Sequence, residues 1–453
     1  MNDSRYDLVG VGCGPFNLSI AALADEAAQA GRPLKTCFFD ARPEFEWHPG
    51  MMLPGSSLQT SCFKDLVTPV KPTSRWSFMN YLVAHRRFYR FLHADMKTVS
   101  RAEFADYLRW VAEQLPNVHF GCRVSSVRHE GDYFRISVDG LNQPVFARSL
   151  CVGTGLQPKW PCEVSPEMAS HITHSHDLSL TDFSCEGQTV VVIGGGQSGA
   201  EIVLNLLRHH WGASRRILWI TRRPTLSVLD DSHFVNEFFT PAWMHAFVRL
   251  DLPVRQRLVA EQKMASDGIS GETLKELYQL LYRMSILTPE SLPEILVGRS
   301  VRSMKARNRR VLIQTEHLLC GESEWFEADR VICATGYDNR YPSCLDQLKE
   351  YLPDSNPLAE AENLDFEVPL KGSGPRLFRV NSGRVRLGIA EPQMSLMAWR
   401  AARIINAVLG DSFYSTEPEH SFVGFLPAKE RGRENAGKSG ESTSRGECSA
   451  FPA

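Results

Sequence analysis

The sequence has few of the features that would place the protein in a membrane, outside the cell or on nucleic acid. No run approaches the roughly 18 apolar residues that span a bilayer. The formal net charge of the 453 residues is only -2 at pH 7, which gives no reason to expect nucleic acid or an acidic membrane as a partner. The first residues, MNDSRYD, lack a basic stretch followed by an apolar one, so we expect no secretory signal.

Paired cysteines are also missing. The eleven cysteines are scattered, and no two of them form a C-x-x-C motif. Because disulfide frameworks and zinc sites need paired or clustered cysteines, this pattern favours reduced thiols in a cytoplasmic protein. His171, His174 and His176 lie close together in sequence, but no cysteine or carboxylate accompanies them in a ligand pattern. We therefore predict no metal site.

Two glycine-rich turns are the most informative motifs that the chain does contain. Each follows a short apolar, β-branched run and precedes a segment with helical character, which makes a G-x-G-x-x-G pattern specific. Glycines permit a tight turn and a close approach of the backbone, so that a pyrophosphate can bind at the N-terminus of the next helix. The turns contain Gly12, Gly14 and Asn17 in YDLVGVGCGPFNL, and Gly194, Gly196 and Gly199 in TVVVIGGGQSGAE. Two such sites predict electron transfer between two dinucleotides.

The residue after the second strand of each unit indicates which dinucleotide binds there. At the first site this residue is Asp40, whose carboxylate can accept hydrogen bonds from ribose hydroxyls and repels a 2′-phosphate, so FAD or NAD is expected. At the second site Arg222 and Arg223 follow the strand. Paired guanidinium groups suit a 2′-phosphate, so NADPH is favoured there.

The order of these segments predicts an α/β fold with two Rossmann-like dinucleotide-binding domains. The second domain, for NADPH, would be inserted in the first, for FAD, and would carry a small, mostly helical substrate region. The late apolar strand in RVICATGY, at 330–337, is interpreted as the return to the first domain. The expected divisions are 1–165 and 326–427 for the FAD domain, 186–325 for the NADPH domain, and 428–453 for a disordered tail, which is polar and has no apolar period.

FAD and NADPH together are typical of two broad enzyme classes. Disulfide reductases need a redox-active cysteine pair beside the flavin, and Cys62, in a plausible region, has no partner within a few residues. Flavin monooxygenases need only a pocket for O2 and the substrate. The sequence therefore favours a monooxygenase.

The motifs around the turns resemble one family of such enzymes, the NADPH-dependent N-hydroxylating flavin monooxygenases of siderophore biosynthesis. The L-lysine N6-monooxygenase branch is more similar than the L-ornithine N5-monooxygenases. The matching runs cover nearly the whole chain before the tail and include GVGCGPFNLSIAAL, FEWHPGMMLP, LQTSCFKDLVTPVKPTSRWSFMNYL, VSRAEFADYLRW, NEFFTP and GIAEPQMSLMAWRAARI.

The resemblance implies roles for individual residues, in addition to those assigned from the turns. The expected FAD-binding residues are Gly12, Gly14, Asn17, Asp40, Trp47, His48, Gln59, Pro392, Gln393 and Met394. The expected NADPH-binding residues are Gly194, Gly196, Gln197, Ser198, Gly199, Arg222 and Arg223. The expected substrate-binding residues are Lys64, for a carboxylate, Asn236, for the amino-acid end, and Ser395. No residue is assigned as a catalytic acid or base.

The resemblance also implies a reaction. NADPH would reduce FAD, the reduced flavin would react with O2 to form a C4a-hydroperoxide, and the terminal amine of the substrate would become a hydroxylamine for a hydroxamate siderophore. The amine must react in its neutral form, although an alkyl amine has a pKa of about 10.4 in water. We expect the pocket to favour the neutral form by desolvation.

Several alternatives stay open at this point. Met264–Gly268, MASDG, stands where the ornithine enzymes have an Asn-rich segment, which argues against ornithine and leaves lysine, putrescine or cadaverine. A Baeyer–Villiger or sulfur-oxygenating monooxygenase would use the same cofactors. A non-enzymatic, redox-sensing flavoprotein would bind FAD without turnover. The family also implies a possible homo-oligomer.

Overall fold

The fold is a mixed α/β structure in which two parallel sheets carry the two glycine-rich turns. The computed structural model describes residues 5–96, 98–352, 364–381 and 383–426. The predicted disordered tail at 428–453 lies outside these residues. Within them, no helix is both long and apolar enough to cross a bilayer.

The strands of the described residues occur in both halves of the chain. They are β1 Arg5–Val11, β2 Thr36–Phe39, β3 Val118–His119, β4 Val124–Glu130, β5 Tyr133–Val138, β6 Val145–Val152, β7 Gln157–Pro158, β8 Ile172–His174, β9 Thr189–Ile193, β10 Arg216–Ile220, β11 Glu294–Leu296, β12 Arg299–Arg307, β13 Arg310–His317, β14 Ser323–Ala328, β15 Arg330–Cys333, β16 Tyr337–Asp338, β17 Glu367–Val368 and β18 Arg376–Arg379.

The helices cover the faces of the parallel sheets and form the region between β10 and β11. They are α1 Pro15–Gln29, α2 Phe78–Ala84, α3 Phe88–Ala94, α4 Arg101–Gln114, α5 Gln197–Leu207, α6 Pro241–Phe247, α7 Leu252–Glu261, α8 Met264–Asp267, α9 Gly271–Leu287, α10 Arg384–Leu387 and α11 Met397–Leu409. Short 3-10 turns include Pro49–Met51, Val235–Phe239 and Met394–Leu396.

The first sheet has the strand order β17-β18-β6-β1-β2-β3, and β5 joins it through β6. Strands β18, β6, β1, β2 and β3 pair in parallel with one another, whereas β17 pairs with β18 in antiparallel orientation, as β4 does with β5 and β5 with β6. Helix α1 links β1 to β2, as the spacing of the first β-α-β unit predicts. Its buried face packs against α11 in one hydrophobic core, so the beginning and the end of the described chain form one unit.

The second sheet has the order β11-β10-β9-β15-β8, and all its strands are parallel. It therefore includes Arg330–Cys333, the strand that the sequence analysis interprets as the return to the first domain. That interpretation is wrong, because β18 is the strand that returns to β6. Buried parallel strands in either sheet are continuous apolar runs, so their sequences do not reveal their partners.

The domain boundaries change with these pairings. Strand β8 lies before the predicted start of the second domain at 186, and β15 lies after its predicted end at 325, yet both pair in the second sheet. The insertion itself is confirmed, since the second sheet falls between β6 and β18. Strands β12, β13 and β14 form a separate antiparallel sheet that the sequence analysis did not predict.

Candidate active site

The first glycine-rich turn connects β1 to α1 and has the geometry of a nucleotide-binding turn. Gly12 has a φ of 82°, and a Cβ there would lie 2.6 Å from the carbonyl oxygen of Gly153. Gly14 is different: it caps α1 in an extended conformation, and a Cβ there would meet no protein atom within 4 Å. Gly12 is therefore required by the fold, whereas Gly14 leaves open space at a helix N-terminus, where a pyrophosphate can bind.

Asn17 is hydrogen-bonded through its side chain to the backbone of this turn. Its side chain is buried, and Nδ2 donates a 2.6 Å hydrogen bond to the carbonyl oxygen of Gly12. Its Oδ1 is also buried and has no hydrogen-bond partner among the described residues. Buried polar atoms are normally paired, so this oxygen is consistent with a ligand at the turn. The turn thus fits the FAD that the sequence predicts there.

Asp40 lies at the end of β2, beside the same turn, and its carboxylate is already hydrogen-bonded within the protein. Oδ2 accepts a 2.7 Å bond from the backbone N–H of Cys13, and Arg42 contacts both carboxylate oxygens at 2.8–3.0 Å. Burial alone would raise the pKa of Asp40, but the hydrogen bonds and charge of Arg42 lower it below its ordinary value. Asp40 therefore fixes the turn, and its contact with a ribose stays a prediction.

The second glycine-rich turn repeats the pattern between β9 and α5. Gly194 has a φ of 132°, and a Cβ there would overlap the carbonyl oxygen of Ala334. A Cβ on Gly199 would overlap the carbonyl oxygen of Gly194, so this glycine allows the helix to approach the strand. Gly196 caps α5 in an extended conformation, and the nearest atom to a Cβ there is the carbonyl oxygen of Asp267 at 4.0 Å. The helix N-terminus is again open to a ligand.

The two arginines after β10 have different surroundings. Arg222 is exposed, and it forms no ion pair within the part of the chain that the structure describes. Arg223 is partly buried, and its Nη2 donates a 2.6 Å bond to the carbonyl oxygen of Asp267. Burial lowers the pKa of Arg223. Arg222 is therefore the guanidinium that is available to a 2′-phosphate, whereas Arg223 anchors the segment that ends at Asp267.

Gln197 and Ser198 form the first turn of α5, as predicted for NADPH-binding residues. The Gln197 side chain, however, is already engaged: Nε2 donates to Glu201 Oε1 and to Thr273 Oγ1, each at 3.0 Å, and Oε1 accepts from the backbone N–H of Ser270 at 2.8 Å. Ser198 is partly exposed. A direct contact of either side chain with NADPH stays a prediction.

Two of the three predicted substrate residues lie together, although they are far apart in sequence. Lys64 Nζ lies 3.4 Å from Ser395 Oγ. The lysine is partly buried, and burial lowers its pKa. An ammonium group of this kind, next to a hydroxyl group, can bind a carboxylate through charge-assisted hydrogen bonds.

Asn236, the third predicted substrate residue, is exposed on the 3-10 turn Val235–Phe239. Its Nδ2 donates a 2.9 Å bond to the carbonyl oxygen of Asp231. The structure therefore gives it a partner in its own loop, and its contact with a substrate stays a prediction.

The segment Met264–Gly268, where the ornithine enzymes have their Asn-rich motif, is packed tightly here. Asp267 forms an ion pair with Arg384 at 3.1 Å. A Cβ on Gly268 would overlap the backbone of Leu229. The segment is thus fixed between α10 and the loop after β10, and the sequence signal for it was its departure from the ornithine pattern.

The residues predicted to line the flavin occupy two segments. Trp47 packs edge-on against Phe104, with ring centroids 5.7 Å apart, and His48 has a left-handed φ of 48° at the start of the turn Pro49–Met51. Gln59 is exposed. Pro392, Gln393 and Met394 form the partly exposed turn that leads into α11.

Arg101 and Glu201 are charged residues that the sequence analysis did not single out. Arg101 begins α4 and Glu201 lies in α5, and their side chains form a two-bond ion pair at 3.1 and 3.2 Å. Their side chains are only 14% and 8% exposed. Arg101 is part of the matching run VSRAEFADYLRW, which was the only signal for it in the sequence.

Of the three clustered histidines, His174 packs within the protein. His174 is buried at the end of β8, its ring packs near Trp160 and Tyr337, and its Nδ1 accepts a 3.1 Å bond from the backbone N–H of His176. Burial and the neighbouring His176 lower the pKa of His174 to about 4. The described residues contain no group of three or more His, Cys, Asp or Glu side chains suited to a metal ion.

Replacing His174 with asparagine is expected to make the folded state less sensitive to acid. The native pKa of about 4 lies below the unfolded value of about 6.5, so unfolding takes up a proton between these pH values. The stability from neutral His174 is therefore complete above pH 6.5 and is lost towards pH 4, by up to about 1.4 kcal/mol per pH unit. Asparagine keeps an acceptor but does not titrate. Urea midpoints at pH 7 and pH 5 should differ less in the variant; an equal difference would contradict this role.

Comparison with known proteins identifies the family. The family described as L-lysine 6-monooxygenase/L-ornithine 5-monooxygenase matches residues 4–339. The L-lysine N6-monooxygenase of Escherichia coli is 41% identical over 90% of this chain and 95% of that protein. The putrescine N-hydroxylase of Shewanella oneidensis is 31% identical over 93% of this chain and 84% of that protein.

Solved structures agree with the sequence relatives. The FAD-bound cadaverine monooxygenase of Erwinia amylovora superposes with a TM-score of 0.85 at 25% identity, over 94% of this chain and 99% of that one. The ornithine N-hydroxylase of Kutzneria sp. 744, with reduced FAD, NADP+ and L-ornithine, has a TM-score of 0.81 at 26% identity, over 89% and 99%. The predicted cofactors, FAD and NADPH, are thereby confirmed. The chain belongs to the L-lysine 6-monooxygenase/L-ornithine 5-monooxygenase family of NADPH-dependent flavin N-monooxygenases.

Proposed function

We propose that the protein hydroxylates the terminal amine of L-lysine in a siderophore pathway, and that Lys64 binds the substrate's carboxylate. The observation that carries this proposal is the contact between Lys64 Nζ and Ser395 Oγ at 3.4 Å. It places a partly buried cation beside the turn that begins with Pro392 and is predicted to lie against the flavin. The 41% identity to an L-lysine N6-monooxygenase supports the same substrate.

The reaction consumes one equivalent each of amine, O2, NADPH and a proton, and yields hydroxylamine, NADP+ and water. Bound FAD supplies the redox chemistry, and the protein binds, orients and excludes water. The first turn, with Gly14 and Asn17, would hold FAD, and the second, with Gly196 and Arg222, would hold NADPH. The residues near Lys64 then have to position the far end of the substrate.

The site must keep two amines in different protonation states. Lys64 has to be protonated to bind a carboxylate, even though burial lowers its pKa. The reacting amine of the substrate has to be neutral, because only a free lone pair can form the N–O bond. A carboxylate bound to Lys64 favours its ammonium form, whereas desolvation disfavours the charged form of the reacting amine.

Replacing Arg222 with alanine is expected to weaken NADPH binding selectively. A charge-assisted hydrogen bond contributes about 1.5–3 kcal/mol, so the Kd for NADPH should rise roughly 10- to 100-fold. The Kd for NADH should stay nearly constant, because NADH has no 2′-phosphate. The Kd of each nucleotide is obtained from the dependence of the rate of flavin reduction on its concentration, measured without O2 by flavin absorbance. Equal weakening of both nucleotides would show that Arg222 does not recognise the 2′-phosphate.

An aliphatic diamine is the second candidate substrate. Identity to a putrescine N-hydroxylase and structural similarity to a cadaverine monooxygenase favour it. Assays of hydroxylamine formation with lysine, ornithine, putrescine and cadaverine discriminate between the candidates. We expect the highest kcat/KM with lysine; a higher value with putrescine or cadaverine would replace lysine as the proposed substrate.

The setting of the reaction follows from its cofactors. We propose that the protein works in the cytoplasm, where NADPH is available and where its cysteines stay reduced. A homo-oligomer is the further expectation from the family. We also propose that the NADPH domain extends from β8 to β15, which revises the predicted boundaries according to the sheet pairings.

A further inference from the structure

A continuous chain of hydrogen bonds connects the two dinucleotide-binding units. Arg101, the first residue of α4, donates a 2.7 Å hydrogen bond from Nη1 to the carbonyl oxygen of Met51. The same guanidinium makes the two-bond ion pair with Glu201 in α5. The buried side chains of α4 pack in the core of the first unit. Arg101 contacts the Pro49–Met51 turn, whose Met51 side chain packs in the core of the second unit, and a carboxylate of the second unit.

The chain continues from Glu201 to the N-terminal turn of α5. Glu201 Oε1 accepts a 3.0 Å bond from Gln197, and Gln197 in turn binds Thr273 and the backbone N–H of Ser270. Gln197 directly follows Gly196, the open cap of α5. The ion pair is thus one helical turn away from the proposed pyrophosphate site.

The other end of the chain reaches the segment predicted to line the flavin. Met51 ends the 3-10 turn that begins directly after His48. This turn lies directly against the backbone of the second unit, because a Cβ on Gly50 would overlap the carbonyl oxygen of His176. The two units are therefore in close contact at the same place where the ion pair joins them.

We propose that Arg101 and Glu201 are positioning residues that set the distance and angle between the NADPH helix α5 and the flavin-lining turn. This inference rests on the proposed function, since it concerns hydride transfer from NADPH to FAD. Neither residue needs to touch a reacting atom. Hydride transfer requires close approach of two rings, and a misplacement of about 1 Å can cost about 100-fold in rate.

The burial of the pair explains why it can act as a fixed link. An exposed ion pair contributes little and exchanges readily with water. When one partner of a buried pair is removed, the other is left as an unpaired charge, which is strongly unfavourable. The two units then gain by separating or rotating so that water reaches the remaining charge.

The test compares two variants that each remove one carboxylate from a two-bond Arg–Glu pair. Glu201→Gln breaks the pair between the units. Glu324→Gln breaks the pair of Arg299 and Glu324, at 3.0 and 3.2 Å, which joins β12 and β14 within the small antiparallel sheet. Both variants are loaded with FAD, and flavin reduction is followed in a stopped-flow instrument over a range of NADPH concentrations and, separately, with dithionite.

We expect E201Q to lower the limiting rate of reduction by NADPH roughly 10- to 100-fold, with the Kd for NADPH within about threefold of wild type. Reduction by dithionite should be unchanged, and E324Q should match wild type with both reductants. An E201Q limiting rate equal to that of wild type would overturn the inference. If wild-type protein is not reduced by NADPH at all, the proposed function fails instead.

A second measurement uses the protein without nucleotides. Amide hydrogen exchange in residues 48–55 and in the first turn of α5 should be faster in E201Q than in wild type, and unchanged there in E324Q. Arg101→Lys keeps the charge but only one contact, so it should give an intermediate rate and intermediate exchange. If E201Q does not fold, the test rests on R101K. Amide exchange and a limiting rate of reduction equal to those of wild type in R101K would then overturn the inference.

Discussion

Replacing Lys64 with methionine is expected to raise the KM for L-lysine by roughly 10- to 100-fold, with a smaller change in kcat. The loss corresponds to one hydrogen bond between charged groups, about 1.5–3 kcal/mol. Methionine keeps the apolar stem and its packing, and removes only the ammonium group that lies 3.4 Å from Ser395 Oγ. Steady-state kinetics of hydroxylamine formation measure the effect.

Cadaverine provides an internal control for this experiment, because it has the two amines of lysine but no carboxylate. Its KM should therefore change little in the Lys64→Met variant. Lys71→Met serves as a matched control variant in the same segment, at a lysine that is also partly buried, and should leave both KM values unchanged. If the KM for lysine stays at its wild-type value in K64M, the proposed carboxylate site is wrong.

Valine at the two open cap positions is expected to remove one cofactor at a time. Gly14 and Gly196 have extended backbone conformations that any residue adopts, and a Cβ at either position meets no protein atom closer than 4.0 Å. The protein should therefore fold with valine there. The added side chain would instead occupy the space for a pyrophosphate, which approaches the backbone closely at such turns.

The two variants are expected to affect different cofactors. Gly14→Val should purify with FAD content reduced at least about tenfold, the effect of a misfit near 1.4 kcal/mol. Gly196→Val should keep its FAD. At low NADPH concentration, its rate of flavin reduction should be at least about tenfold lower than that of wild type. Circular dichroism checks that both variants fold. Wild-type FAD content in G14V would contradict the first site, and wild-type reduction in G196V the second.

The sequence predicted those parts of the fold and site that depend on local pattern. The apolar runs before the two glycine-rich turns are the strands β1 and β9, and the segments after the turns are the helices α1 and α5, because an apolar β-branched run followed by glycines and a helical pattern is a strong local signal. The contact of Lys64 with Ser395 could not come from local pattern, since the two residues are 331 positions apart. Only the resemblance to a family assigned both to the substrate.

The sequence could not predict which strands pair in a sheet or which distant side chains bind each other. A buried parallel strand has the same apolar pattern in either sheet, which is why Arg330–Cys333 was assigned to the wrong one. The side chain of Gln197 is hydrogen-bonded to Ser270 and Thr273. Because these partners are distant in sequence, the position of Gln197 after the glycine turn could not reveal that its polar atoms are already bound. Likewise, nothing near Glu201 in the sequence indicates Arg101 as its partner.

The most direct test of the account is one turnover experiment with labelled dioxygen. FAD-loaded protein is incubated with NADPH, L-lysine and 18O2, and hydroxylamine, hydrogen peroxide and NADPH consumption are quantified together. The account predicts N6-hydroxylysine that carries the label, nearly one equivalent for each NADPH consumed, with little peroxide. Peroxide alone, with no labelled hydroxylamine from lysine or from putrescine and cadaverine, would contradict amine hydroxylation by this protein.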